Sequence, residues 1–363
     1  MHLTTRRPTA KPFRAEAWLG EGPLHIKGLR DIIAEYDRQL EGTCLHTLEG
    51  HTGDVTVLAV LPDGKLASGS DDCTVRVWQN GLCVLTLDGH DSIISALAVL
   101  PDGKLASSSG ATVRVWGADG TCLLTLVEHT FDVIALAALP GRKLASGSLD
   151  ATVRVWNTTD GECLFTLVGH NIYGVSALAV MPDGTLASGS GDGKVCLWDP
   201  ADGRCLLELS GHTEEVIDLA ALPGGKLVSA SDDCTVMVWD LASGKRLHTI
   251  AYQASEVSAL AVLPNGQLVE SYYDTTLRVR DPESGACLLT LSTGTSPVLS
   301  LAVLLDGNLA SGSYGGVVHV WDISSGECLL AMKGHTDAVN ALMVLPDGTL
   351  ASAAADHTVR VWC

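Results

Sequence analysis

The sequence predicts an all-β protein, an eight-bladed β-propeller, from three observations. A phrase of similar sequence returns eight times along the chain, at intervals of 38 to 42 residues. Each copy holds short apolar runs separated by turn signals such as Pro-Asp-Gly, which is typical of strands joined by tight turns. Each copy also ends its third run on one large residue at a fixed position. That residue is Arg280 in the sixth copy, and in the others it is Trp78, Trp116, Trp156, Trp198, Trp239, Trp321 and Trp362.

The first copy defines the four strands expected in every blade. The a–b link is Pro-Asp-Gly, in which Pro presets a negative φ and Gly accepts a positive one. The c–d link is Asn-Gly, which favours a two-residue hairpin. The predicted strands are a over residues 55–61, b over 65–70, c over 74–78 and d over 82–87.

Two segments are expected before the repeats. Residues 1–25 lack apolar periodicity and are predicted to form a flexible arm. Over residues 26–41 the apolar side chains recur with helical spacing, which predicts an amphipathic helix that ends at Gly42. This helix either packs on the propeller or serves as a handle for a partner. Its apolar positions are Leu29, Ile32, Ile33, Tyr36 and Leu40.

The order of the strands also predicts how the ring closes. A d-type strand, Cys44–Leu48, precedes the first copy, and the sequence stops one residue after Trp362, before any d strand of the last copy. We therefore expect a propeller over residues 43–363 in which Cys44–Leu48 pairs with residues 358–362. Such pairing leaves no open strand edge at the closing point.

The net charge of −19 over 363 residues is unevenly distributed. Residues 1–41 hold seven Lys/Arg and six Asp/Glu, so the other 16 Lys/Arg and 36 Asp/Glu give the repeats a charge of −20. An acidic surface repels phosphate backbones and favours basic partners, although solubility alone would also account for it. Basic stripes with interleaved aromatic residues are absent, so nucleic acid is not an expected partner.

The cysteines and the apolar runs bear on location. Equivalent positions on successive blades are expected to lie too far apart for disulfides, so the repeated thiols indicate a reducing compartment, the cytoplasm or the nucleus. No run of 18 apolar residues predicts a membrane span, and the N-terminus lacks the apolar core of a secretion signal. Its basic first 15 residues would suit either a transit peptide or an unstructured arm. Of eleven cysteines, seven share the start of strand d: Cys44, Cys83, Cys122, Cys163, Cys205, Cys287 and Cys328.

Copies that open with Gly-His and close with Trp-Asp resemble the repeats of the WD-repeat family of β-propellers. The Trp-Asp pair is present at Trp198, Trp239 and Trp321, each followed by an aspartate. The resemblance covers residues 43–363, and eight copies in register make it specific. Most members of the family have seven blades, so an eighth blade is a departure that implies a wider ring.

The resemblance implies a hydrogen-bonded structural quartet of His, Ser, Asp and Trp within each blade. Buried imidazole, carboxylate and indole groups are costly alone and become rigid once they satisfy one another. Five blades carry the full set: His51, Ser68, Asp72 and Trp78; His129, Ser146, Asp150 and Trp156; His170, Ser188, Asp192 and Trp198; His212, Ser229, Asp233 and Trp239; and His335, Ser352, Asp356 and Trp362.

Three blades depart from that pattern. The second has Gly110 in place of the aspartate, and the seventh lacks both the histidine and the aspartate. The sixth keeps only Asp274, and one compensation would be a pairing of Glu270 with Arg280, which occupy the Ser and Trp positions. We expect the sixth and seventh blades to be the softest part of the ring.

The recurring His, Ser and Asp do not indicate a catalytic triad, because a nucleophile is not normally copied five times at packed positions. Motifs of nucleotide-binding loops, serine hydrolases and zinc proteases are absent. The sequence therefore predicts no catalytic residues, no metal site and no cofactor.

The family commonly binds peptides on the top face, which consists of the d–a and b–c loops, so the resemblance implies partner-binding residues there. Acidic candidates fall mainly on the first, third and fifth blades, and aromatic ones on the sixth and seventh. Tyr272 or Tyr273 could instead fill the volume left where Arg280 replaces a tryptophan. The candidates are Asp54, Asp71, Asp132, Glu215, Asp232, Tyr273, Leu299 and Tyr314.

The sequence favours a non-enzymatic scaffold or adaptor that binds proteins or peptides, with basic segments, on its top face. The alternatives are a structural subunit of a larger assembly and an enzyme with a site in the central channel. No membrane partner is expected. The identity of the partner and the oligomeric state stay open.

Overall fold

The computed structural model describes residues 42–171, 173–251, 255–294 and 296–363. The predicted arm (1–25) and helix (26–41) lie outside these residues. The described ranges form eight four-stranded antiparallel sheets, which confirms the all-β, eight-bladed prediction. None of the described residues belongs to a helix that could cross a lipid bilayer.

Blades 1 to 4 follow β1 (Cys44–Leu48) along the chain, and in each the strands a, b, c and d are adjacent in sequence order. Blade 1 contains β2 (Val55–Val60), β3 (Leu66–Ser70), β4 (Val75–Gln79) and β5 (Leu82–Leu87). Blade 2 contains β6 (Ile94–Val99), β7 (Leu105–Ser109), β8 (Thr112–Trp116) and β9 (Cys122–Leu126). Blade 3 contains β10 (Val133–Leu139), β11 (Lys143–Ser148), β12 (Thr152–Asn157) and β13 (Cys163–Val168). Blade 4 contains β14 (Val175–Val180), β15 (Leu186–Ser190), β16 (Lys194–Trp198) and β17 (Cys205–Ser210).

Blades 5 to 7 repeat the same order, and blade 8 begins with its three C-terminal strands. Blade 5 contains β18 (Val216–Leu222), β19 (Lys226–Ser231), β20 (Thr235–Asp240) and β21 (Lys245–Ala251). Blade 6 contains β22 (Val257–Val262), β23 (Leu268–Tyr272), β24 (Thr276–Arg280) and β25 (Cys287–Ser292). Blade 7 contains β26 (Val298–Val303), β27 (Leu309–Ser313), β28 (Val317–Trp321) and β29 (Cys328–Lys333). Blade 8 contains β30 (Val339–Val344), β31 (Leu350–Ala354) and β32 (Val359–Trp362).

The fourth strand of blade 8 comes from the beginning of the repeats. β1 pairs antiparallel with β32, with Cys44 opposite Trp362 and Leu48 opposite Val359. The a strands of neighbouring blades also contact one another around the whole ring, and β2 of blade 1 contacts β30 of blade 8. The a strands are therefore the innermost, and the d strands lie at the outer edge.

The hydrophobic core lies between the blades. In one cluster Ala67, Val75 and Val77 of blade 1 pack against Ile94 and Trp116 of blade 2. Strand b of blade 1, Leu-Ala-Ser-Gly-Ser, is buried along its length and consists mostly of small residues, since a neighbouring sheet covers each face. At Gly69 a Cβ atom would lie 2.5 Å from Cγ2 of Ile94, so glycine permits this close approach.

Polar side chains of the a strands connect neighbouring blades near the axis. Ser176 Oγ donates to the carbonyl of Val216 at 2.7 Å, which joins blades 4 and 5. Asn340 Nδ2 donates to the carbonyl of Val55 at 3.1 Å, which joins blade 8 to blade 1. These bonds satisfy carbonyl groups on the channel-facing edge of the a strands β18 and β2, where no further strand of the same sheet is available.

The cysteines are all free thiols. The cysteines near the start of the outer strands lie at equivalent positions in successive blades.

Candidate functional site

A buried polar network supports the loops of the top face in blade 1. The indole nitrogen of Trp78 donates to Ser68 Oγ at 2.7 Å. Ser68 Oγ lies 2.8 Å from His51 Nε2, and His51 Nδ1 lies 2.8 Å from Asp72 Oδ2. Burial lowers the pKa of His51, so its imidazole is neutral. Since Nε2 then accepts from the serine hydroxyl, the ring proton is on Nδ1 and is donated to Asp72.

Asp72 connects the two loops of blade 1 that reach the top face. Its carboxylate accepts from the backbone N–H of Thr52 in the d–a loop at 2.9 Å, and from the hydroxyl of Thr74 after the b–c turn at 2.6 Å. Burial acts to raise the pKa of Asp72, but the hydrogen bonds from Thr74, Thr52 and His51 outweigh it and lower the pKa to about 2. The ionised carboxylate thus holds both loops in one arrangement.

The same network recurs in other blades. Blades 3, 5 and 8 contain all three bonds among their predicted His, Ser, Asp and Trp residues. In blade 4 the histidine and tryptophan contact Ser188 normally, but His170 Nδ1 lies 3.4 Å from Asp192 Oδ1. The network of blade 4 is therefore looser on its aspartate side.

Blades 2 and 7 keep only part of the network. In blade 2 both His90 and Trp116 contact Ser107 at 2.7 Å, while His90 Nδ1 is buried without a hydrogen-bond partner. Burial, with the nearby charge of Arg114, lowers the pKa of His90 to about 4. In blade 7 only the tryptophan–serine bond is present, at 2.9 Å.

These networks have the geometry of structural supports. Ser68 is fully buried, and His51 is 7% exposed. The serine hydroxyl is occupied by the indole and the imidazole, so it cannot reach a substrate carbonyl as a nucleophile would.

Blade 6 replaces the network by a buried ionic one. Glu270 is fully buried, and its Oε2 accepts from Arg280 Nε and from the Tyr272 hydroxyl, each at 2.7 Å. The expected pairing of Glu270 with Arg280 is confirmed. Tyr272 is also fully buried and fills the space beside this pair, whereas Tyr273 is 48% exposed.

The innermost strand of blade 5 carries an unusual acidic residue. Asp218, on the innermost strand β18, accepts from the backbone N–H groups of Leu219 and Leu260, at 2.8 and 2.9 Å. Burial raises the pKa of Asp218 to about 6 despite these two bonds. Within the described residues no group of three His, Cys, Asp or Glu side chains could hold a metal ion. Asp218 alone does not form an acid–base pair.

Asp218 is expected to make stability depend on pH. Its folded pKa of about 6 exceeds the ordinary value of 3.8, so the folded protein binds the proton more tightly. The associated stabilisation is complete below about pH 4 and is lost as pH rises past 6, by about 2–3 kcal/mol. We expect Asp218→Asn to gain stability relative to wild type between pH 4 and 7.5 in urea titrations. A wild-type-to-variant difference that stays constant over this range would contradict the assignment.

The top face brings some predicted candidates together. Burial is the largest cause that raises the pKa of Asp71, and the negative charges of Asp54 and Asp72 raise it further. The three carboxyl groups therefore lie close together on blade 1. The structure places Asp71, Asp132, Asp232, Tyr273 and Tyr314 at exposed positions, and Asp54, Glu215 and Leu299 at partly buried ones.

A second acidic group spans blades 5 and 6. Burial raises the pKa of Asp232, and the charges of Glu215, Glu256 and Glu214 raise it further. These four neighbouring carboxyl groups, on adjacent loops of blades 5 and 6, leave an excess of negative charge there. We call Glu214, Glu215, Asp232 and Glu256 the acidic rim.

Three exposed apolar side chains lie on blades 3 and 4 of the same face. Phe131 is 64%, Leu149 42% and Tyr173 65% exposed. A Cβ atom on Gly174 would lie 2.8 Å from Cα of Leu149, so the b–c turn of blade 3 contacts the d–a loop of blade 4. We call Phe131, Leu149 and Tyr173 the apolar rim.

Sequence reasoning missed Phe131 and Tyr173 as candidates. Both lie in d–a loops, two residues before the first residue of strand a, where blade 1 has Gly53 and blade 2 has Ser92. A large apolar residue at a loop position that is small or polar in the other blades was the signal available.

The apolar and acidic rims are contiguous. Backbone and Cβ atoms of Tyr173 lie against Gly191 in the b–c turn of blade 4. Gly193 of the same turn lies against the carbonyl groups of His212 and Glu214 in blade 5. One glycine-rich turn therefore separates the last apolar side chain from the first acidic one.

Comparisons with known proteins agree with this architecture. A family model described as "WD domain, G-beta repeat" matches residues 42–79, 81–117, 120–157, 161–199, 203–240, 285–322 and 326–363. The stretch between the fifth and sixth matches contains β22, β23 and β24 of blade 6, with the Glu270–Arg280 pair in place of the quartet. No curated protein sequence matches the chain.

Among solved structures, the crystal structure of the computationally designed Ika8 protein is similar, with a TM-score of 0.80 and 33% sequence identity. The match covers 88% of this chain and 99% of that chain. Propellers with these repeats are generally protein-interaction scaffolds. Because the repeat model matches most of the sequence and all eight blades have the expected strands, the chain belongs to the WD-repeat family of β-propellers.

Proposed function

We propose that the protein is a non-enzymatic scaffold whose top face binds a protein or peptide segment with basic residues beside apolar ones. The observation that carries the proposal is the contiguity of the apolar rim with the acidic rim. Exposed aromatic side chains at a loop surface are frequent binding anchors. A neighbouring cluster of carboxylates would attract a basic segment and fix its direction.

A rigid face would strengthen such binding, because little conformational entropy would be lost on association. The buried networks support rigidity by joining the d–a and b–c loops within a blade. We further propose that the pairing of β1 with β32 keeps the ring closed, so that the loops of blades 8 and 1 hold their relative positions.

The proposal can be tested by selecting peptides from a random display library against the wild-type protein. We expect the selected peptides to combine Lys or Arg with apolar residues. Phe131→Asp/Tyr173→Asp should weaken their binding at least about tenfold, because hot-spot anchors contribute at least about 2 kcal/mol each. Glu215→Lys/Asp232→Lys should weaken binding in a salt-dependent way.

The matched control is Leu82→Asp/Leu305→Asp, which introduces the same charge at side chains that are 70% and 73% exposed, outside the top face. This control should leave the affinity unchanged. Peptides that bind both rim variants as tightly as wild type would place the binding surface elsewhere.

A further inference from the structure

The face opposite the top carries a cleft between blades 6 and 7 that is more than twice as large as three others of its kind. The a–b turns and c–d loops meet on this face, since they lie at the other ends of the strands from the top loops. The cleft measures about 590 Å³, while those between blades 1 and 2, 8 and 1, and 5 and 6 measure about 200, 230 and 180 Å³. We call it the 6/7 cleft, and its polar lining is Asn265, Gln267, Asp306, Asn308, Asp322 and Ser324.

In two other gaps, between blades 3 and 4 and between blades 5 and 6, a lysine at the start of strand b reaches the c–d loop of the next blade. The equivalent Lys65 and Lys104 of blades 1 and 2 instead pair with an aspartate of their own turn. Lys143 Nζ donates to the carbonyl of Pro200, in the c–d loop of the next blade, at 2.6 Å. Its ammonium group also lies 5.8 Å from the ring centroid of Phe165. Lys226 forms an ion pair with Glu283 in the c–d loop of blade 6. The gap between two blades thus accepts a basic side chain in at least two places.

In the 6/7 cleft that internal cation is missing. Gln267 occupies the position of Lys143 and Lys226, and its side-chain carbonyl accepts from Asn265 Nδ2 at 2.9 Å within its own turn. The residues that line the cleft include two aspartates and no Lys, Arg or His. Hydrogen bonds from Ser324 and Ser325 lower the pKa of Asp322, so the cleft is negatively charged near neutral pH.

We propose that the 6/7 cleft binds an arginine side chain of a protein partner, in the place that lysines of the chain fill between other blades. A planar guanidinium offers five donors, which suit the carboxylate and carboxamide acceptors of the lining. Its methylene groups would pack on the apolar wall that includes Leu288 and Ile323. This surface is separate from the top face and does not depend on the function proposed there.

The test uses a photoreactive peptide, acetyl-Gly-Arg-photoleucine-Gly-amide, with the full-length protein and mass-spectrometric mapping of the labelled residues. We expect labelling within residues 263–267, 306–308 and 322–324. Gln267→Lys should supply the missing cation internally and reduce labelling about tenfold, as expected for loss of a charge-assisted contact. The same peptide with citrulline in place of arginine should label the cleft about tenfold less.

Thr185→Lys is the matched control, because it makes the same charge change at the equivalent position of blade 4. Lysine occurs at this position in blades 1, 2, 3 and 5, so both variants should fold, and thermal unfolding checks this. Asp306→Asn removes charge without adding bulk and should also reduce labelling. Labelling outside the cleft, equal loss in both lysine variants, or equal labelling by the citrulline peptide would each overturn the proposal.

Discussion

Glu270→Ala is expected to destabilise the protein by about 3–5 kcal/mol, the range for removal of one partner from a buried ion pair. The change removes the carboxylate oxygen to which Arg280 Nε and the Tyr272 hydroxyl both donate at 2.7 Å. The Arg280 side chain is only 12% exposed, so water cannot fully replace that acceptor. Urea titration of wild type and variant at pH 7 measures the difference.

Two controls separate the loss of the pair from a general effect of substitution. Glu270→Leu/Arg280→Met replaces both charges by apolar groups and should cost much less than the single change, since such replacements are often near neutral. Lys65→Gln removes an ion pair whose side chains are 23% and 51% exposed, and should change stability by less than about 1 kcal/mol. A loss below about 1 kcal/mol for Glu270→Ala would contradict the role assigned to the pair.

The repeat explains why so much of the fold could be predicted. Each turn and each tryptophan occurs many times along the sequence. A strand that is uncertain in one copy can therefore be assigned from the equivalent strands of the other copies. Predicted boundaries in blade 1 differ by one residue at one end of β2 and of β3 and at both ends of β4, and β5 agrees. The pairing of Glu270 with Arg280 was also accessible, because both occupy positions whose usual residues contact each other.

Comparison of the copies reveals what they share, so it did not predict the features that differ between them. Phe131 and Tyr173 were missed because large apolar residues occur at this loop position only in blades 3 and 4 and are not part of the shared pattern. Tyr272 and Tyr273 could not be distinguished, since the end of β23 decides which ring is buried. The 6/7 cleft could not be predicted, because its size depends on Gln267 turning to Asn265 and on a loop of the next blade.

Leu48→Ala is expected to cost about 2–5 kcal/mol, as for other buried leucines. Leu48 is 2% exposed and packs in one cluster with Val55 of blade 1 and Val359 of blade 8. The substitution should therefore loosen the contact through which, as we propose, β1 keeps the ring closed.

Leu45→Ala is the control on the same strand, since Leu45 is 45% exposed. It should change stability by no more than about 0.5 kcal/mol. Equal effects of the two substitutions would mean that β1 does not pack as a closing strand.

Hydrogen exchange followed by mass spectrometry tests most directly whether the ring is closed by β1. The matched comparison is β1 with β9, the outer strand of blade 2, because the sequences Cys-Leu-His-Thr-Leu and Cys-Leu-Leu-Thr-Leu differ at one position. A closed ring predicts that amide groups of both strands exchange with protection factors within about tenfold of each other. Exchange of Cys44–Leu48 at the rate of an unstructured peptide, with Cys122–Leu126 still protected, would show that the ring is open.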